Sequence, residues 1–142
     1  MSTLPIDPIF PVGGPNDAYA EYFTGRSFLE MLSTQGVTIG NVTFEPGCRN
    51  NWHIHHAASG GGQILLCTAG RGWYQAEGED PVALVPGTVV HIPAGVKHWH
   101  GAAATSWMSH LAVEVPGEQT SNKWLEPVSD AHYAALPDDE ED

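Results

Sequence analysis

Seven of the eight histidines fall between Gly47 and His110, a concentration that random surface scatter would not give. Within that stretch they come in pairs: His53 with His55, and His98 with His100. Side chains two apart on a β-strand point to one face, so each pair presents two imidazoles to the same side of a sheet. Two such pairs in one small domain can converge on a point. Neutral imidazole nitrogens converging in a mostly apolar interior suit zinc, manganese, iron, nickel or copper. The competing reading of any single histidine is a residue satisfied by its neighbours, and one H-x-H pair alone carries little weight. The flanks add weight. Gly47 stands before His53, Gly70 follows Gln63, and Gly87, Pro93 and Gly95 precede His98, where hairpins between strands must turn.

These two blocks, Gly47–His53–His55–Gly70 and Gly87–Pro93–Gly95–His98, resemble the two cupin motifs. The strings YFTG, VTFEPG, WHIH, CTAGRGW, KHWHGAA and MSHLAVE extend the resemblance from Tyr22 to Glu114. They are similar to small single-domain bacterial cupins, among them manganese-dependent hydroxynitrile lyases and cupins associated with carboxymuconolactone decarboxylases. Two departures stand out. The glutamate of the first motif is Gln63, reached through the longer loop HAASGGG, and the closing asparagine of the second is Ala102. Glutamine also occupies the carboxylate position in the hydroxynitrile lyase-like branch.

The resemblance implies an all-β fold, the cupin double-stranded β-helix or jelly-roll barrel. It implies one divalent transition metal held by His53, His55, Gln63 and His98. Manganese is the expected metal, with iron, zinc or nickel as alternatives. An uncharged glutamine in place of a carboxylate leaves the ion's double charge uncompensated, which raises Lewis acidity and disfavours a trivalent state. The expected activity is a lyase on small carbonyl or cyanohydrin compounds. A metal-dependent oxygenase, decarboxylase or isomerase on a small ring acid is one alternative, and a non-catalytic small-molecule binder another.

The remaining candidates come from strand parity. Gly40, Val42 and Phe44 share one face of the β-branched run GVTIGNVTFE, and small Gly40 and Val42 would leave room for a substrate. His110 shares its face with Met108, Ala112 and Glu114. It is the expected general base, since imidazole titrates near neutrality. His100 would line the same cavity or support a ligand from behind. Trp52, Trp99 and Trp107 alternate against the ligand parity and read as packing between sheets or subunits. His56, His91 and His132 have no assigned role.

The chain must position these residues with short strands and many turns, as 16 glycines and 11 prolines suggest. Strands are expected at 21–25, 27–32, 36–45, 49–56, 63–69, 72–75, 82–85, 88–92 and 105–115. Residues 1–17 form an extended Pro/Gly-rich arm laid along another subunit. Residues 18–128 form the barrel, and 129–142 a short helix with Ser129 as N-cap and an acidic tail. A length of 142 residues fits one domain. A net charge of -12 argues against nucleic acid and anionic membrane as partners. The two cysteines form no framework and read as reduced thiols in a cytoplasmic protein. Without a leader or a long apolar run, neither secretion nor membrane spanning is expected. A homodimer or homotetramer is expected from the arm, the tryptophans and the resemblance.

Overall fold

The computed structural model describes residues 6–137. The first five residues of the arm and the acidic tail DDEED lie outside them. Runs rich in β-branched and aromatic residues, cut by glycine and proline, form the strands. In order these are β1 (Ser27–Ser33), β2 (Ile39–Phe44), β3 (His53–His56), β4 (Gln63–Gly70), β5 (Gly72–Ala76), β6 (Val82–Leu84), β7 (Val89–Ile92), β8 (His98–Ala102), β9 (Met108–Glu114) and β10 (Ser121–Trp124). Helix α1 (Asp130–Ala134) follows.

One sheet runs β1-β2-β9-β4-β7, with Gly14–Pro15 added outside β1. The facing sheet runs β6-β5-β8 and continues through the short segments Arg49–Asn50 and Phe23–Thr24. β3 also pairs with β8, and β10 pairs with β3. Every pairing is antiparallel. This is the expected jelly-roll barrel. Between the sheets lie Phe44, Leu65, Cys67, Leu84, Ile92 and Met108. β4 shows the logic most plainly: Gln63, Leu65, Cys67 and Ala69 point inward and are buried, while the residues between them are half-exposed. Cys48 and Cys67 are free and buried.

Three elements depart from the expectations. The expected strand at 21–25 shrinks to Phe23–Thr24, and a 3-10 helix (Asp17–Tyr22) precedes it. The sequence DAYAEY offers no β-branched residue to hold an extended backbone. The described part of the arm, expected along another subunit, is laid on its own barrel. Gly14 and Pro15 pair with Leu29 and Phe28, and the buried Asn41 amide donates to Pro11 O at 2.8 Å. The edge of β1 is thereby covered from within the chain. Finally, the expected strand 49–56 is broken at Asn51–Trp52. Gly101 faces Arg49, but His98 faces His53, so one strand carries an extra residue, a β-bulge.

The bulge reverses the inward parity. Asn50 points into the barrel, as His53 and His55 do, while Arg49 points out beneath the C-terminal segment. There its Nη2 donates to Val128 O (2.9 Å) and Asp130 Oδ1 (2.7 Å), and the guanidinium lies over the Tyr133 ring. Ser129 caps α1 as expected, accepting from the His132 backbone at 3.0 Å. Trp52 and Trp99 pack with Val128 under this segment, within one chain rather than between subunits. Among the described residues no helix is long and apolar enough to cross a membrane.

Candidate functional site

Three imidazoles meet inside the barrel. The register brings His53 of β3 opposite His98 of β8, and their rings lie 4.2 Å apart. His55 joins from the same face of β3. The ligand-capable atoms of His53, His55 and His98 all lie within 4.8 Å of one another. Each ring is held from behind through Nδ1: His53 to Asn51 O (2.8 Å), His55 to Asn122 Oδ1 (2.7 Å) and His98 to Val96 O (2.9 Å). An oxygen acceptor at Nδ1 requires the proton there, which leaves the Nε2 lone pairs free. His55 Nε2, His98 Nε2 and Gln63 Oε1 are buried with no hydrogen-bond partner. Buried polar atoms are seldom left unsatisfied, so this convergent set of unpartnered lone pairs fits a divalent cation. Burial, first of all, holds His53 well below the ordinary histidine value and His98 down to about 4. Both are therefore neutral donors at physiological pH.

Gln63 is well placed despite the longer loop before it. That loop is tied to the segment after β9: Ser59–Gly60 pair with Gly117–Glu118, Gly61 N donates to Pro116 O and Val115 N to Gly62 O. Gly60, Gly61 and Gly62 all take positive φ, which glycine alone adopts without strain. The Gln63 amide donates to Glu114 Oε2 at 2.6 Å. No carboxylate stands among the candidate ligands, but Glu114 stands directly behind Gln63, where it would offset part of an ion's charge.

A cavity of about 280 Å³ opens over these groups. Gly40, Val42 and His100 all line it, as expected, together with His53, His55 and Gln63. One wall is apolar, formed by Leu29, Met31, Gly40, Val42 and Ala112, with Asn16 at its edge; opposite stand Asn50, Asn122 and Trp124. No lysine or arginine is among the described residues that line it, and Glu114 is its one carboxylate. Trp124 stacks on Tyr22 at 4.7 Å and lies 4.6 Å from the His53 ring.

His110 is inward, as its parity requires, but does not line the cavity. It is fully buried against Phe44, and its Nε2 meets His100 Nδ1 at 3.0 Å. The expected base therefore stands behind the His100 ring, which meets it across the barrel interior. Burial pushes His110 down to about 4 and His100 well below the ordinary value, with the His110 neighbour adding to the effect on His100. Asn50 completes the group: its Oδ1 accepts from the His100 backbone at 2.9 Å, and its Nδ2 lies 3.2 Å from the ring. His132 bonds Gln75 at 2.7 Å, away from the site.

Asn50, Asn122, Trp124 and the pairing role of Glu114 were missed by the sequence reading. Strict alternation through 49–56 turns Asn50 outward, and the run SNKW carries no strand pattern. Glu114 was on the correct face, but its partner could be found only from the register.

The profile for the cupin domain matches residues 40–114, a span that contains all four candidate ligands. The chain is a cupin. An (R)-mandelonitrile lyase from Granulicella tundricola is 42% identical over 118 residues, which is 80% of this cupin and 87% of that enzyme. A cupin-like protein from Thermotoga maritima superposes with a TM-score of 0.80 at 34% identity, covering 94% of this chain and all of that one. A DMSP lyase from Ruegeria pomeroyi shares the fold at a TM-score of 0.59 and 17% identity, over 85% of this chain and 61% of its own.

Proposed function

We propose that this cupin is a metal-dependent lyase that cleaves small, neutral cyanohydrins to a carbonyl compound and cyanide. One observation carries the reading. Three imidazoles, locked by their Nδ1 bonds with Nε2 lone pairs convergent, cluster beside a cavity that two of them, His53 and His55, line together with Gln63 and His100, and no lysine or arginine is among its described lining residues. His53, His55, His98 and Gln63 would hold the metal, with manganese the expected occupant. A dication there would supply Lewis acidity toward a substrate hydroxyl oxygen.

The protein's own groups do the rest. His100 takes the hydroxyl proton on its cavity-facing nitrogen. His110, hydrogen-bonded to the other ring nitrogen, orients the imidazole and disperses the charge it gains, as the third member of a catalytic triad does. The oxygen electron pair forms the carbonyl, the carbon–carbon bond breaks, and cyanide departs with that bond's pair and later takes the proton. Leu29, Met31, Val42 and Ala112 hold the apolar body of the substrate and exclude water. No lysine or arginine among the described lining residues stands ready to bind a carboxylate away from the metal, which favours a neutral substrate over a ring acid for a decarboxylase or isomerase.

Metal-loaded protein should release aldehyde and cyanide from mandelonitrile. Chelation should abolish the reaction and the dication restore it. Turnover that survives complete metal removal, or a loaded protein inert to cyanohydrins while it decarboxylates acids or consumes oxygen, would refute the proposal.

A further inference from the structure

We infer that Glu114 is a positioning residue that fixes the Gln63 amide with its carbonyl oxygen toward the imidazoles; the inference rests on reading His53, His55, Gln63 and His98 as a metal site. A primary amide has two unlike ends that exchange by a half-turn of its last torsion. Only one orientation offers a cation a lone pair, and the other presents N–H groups that a cation repels. An ionised carboxylate can only accept. Glu114 Oε2, 2.6 Å from Gln63 Nε2, therefore holds the NH2 end and leaves Oε1 buried and unpartnered. Charge-assisted bonds are roughly twice as strong as neutral ones, so the half-turned state is strongly disfavoured.

The backbone sets this contact independently of any metal. Gln63 and Glu114 are directly opposed across β4 and β9, at the very end of the ladder. The next residues continue the clamp, Val115 N donating to Gly62 O at 3.1 Å and Gly61 N to Pro116 O at 3.1 Å. The pair thus moves as one unit with the glycine loop. A neutral amide serves as ligand, and the negative charge sits one bond further out.

The test uses the full chain and manganese(II) alone. Affinity is measured by competition with a chelating dye, and the ligand set is followed by the visible spectrum of the cobalt(II) form. Glu114→Gln keeps an acceptor for the Gln63 NH2 and should stay within about threefold of the parent. Glu114→Leu and Glu114→Ala remove it and should weaken binding by about 10–100-fold, the range for losing a group that orients a ligand, with a shifted cobalt spectrum. On a Gln63→Ala background Glu114→Leu should add nothing. Unchanged affinity in both Glu114→Leu and Glu114→Ala, equal loss in Glu114→Gln, or the same loss without Gln63 would each overturn the inference. A parent protein that binds no dication overturns the metal reading and this inference together. A protein that follows the expected affinities but leaves cyanohydrins intact upholds it and removes only the lyase activity.

Discussion

The histidines divide by what stands behind each ring. His53, His55 and His98 have an oxygen at Nδ1, so Nε2 is left to donate; His100 and His110 have each other. Replacing His98 by Ala should abolish tight metal binding, as elemental analysis of the purified protein would record. His100→Ala and His110→Ala should keep the metal. Their turnover should fall by about 10²–10⁴-fold for His100, the range for a general base, and by less for His110, which acts through it. Near-full turnover in His100→Ala would refute the assignment. The metal-free protein should also carry a pH signature. Burial holds His98 and His110 at about 4, against 6.5 in the unfolded chain. Between those values the unfolded chain binds protons that the folded one refuses, so this contribution is complete above about 6.5 and is lost as pH falls toward 4. Thermal melts should show the midpoint dropping through that window, and His110→Phe should flatten the drop. The convergence of His53, His55 and His98 was legible because spacing of two survives in any strand. The relative depths of His100 and His110 were not, because parity gives a face and says nothing of depth.

Strands were legible from alternation and turn residues, and β4 follows its pattern without exception. What alternation could not reveal was interruption. The extra residue at Asn51–Trp52 is unmarked by glycine or proline, so strict alternation counted from His53 would put Asn50 and Arg49 on the wrong sides. β10 was hidden for a different reason: its residues are mostly exposed and it is ordered by pairing with β3, not by its own pattern. The glycine loop gives this scale its prediction. Gly62 has φ +94, and a Cβ there would strike Ile92 O, whereas Gly36, at φ +72, has open space around it. Gly62→Ala should cost about 1–3 kcal/mol in strain and weaken manganese binding by displacing Gln63. Gly36→Ala should cost about 1–2 kcal/mol and leave the metal alone. Chemical denaturation and metal titration of the two variants separate the effects; equal metal affinity in both would contradict the link between loop and site.

At the scale of the molecule, the barrel class was readable from the two motifs, while the path of the arm was not, since Pro and Gly mark an irregular segment without saying where it lies. One edge is closed by Gly14–Pro15, but β7 ends its sheet and Val89 on it is 61% exposed. We propose a homodimer or homotetramer that covers this edge, as unpaired edges invite. Light scattering at micromolar concentration should find the oligomer and Val89→Lys should weaken it; a monomeric parent would refute this. Deleting residues 1–17 should now lower stability first, since Pro11 and Gly14–Pro15 bind their own sheet. The bulge at Asn51–Trp52 has a consequence at this scale too. It selects which of two adjacent side chains, an amide or a guanidinium, looks into the barrel. Pairing the same residues in strict alternation from His53 and His98, without the bulge, would turn Arg49 inward and Asn50 outward, converting a pocket suited to uncharged guests into one with an anion receptor at its wall. In a fold that serves many chemistries, the charge of the guest can thus be reassigned by a one-residue shift of register, with every side chain in the sequence kept.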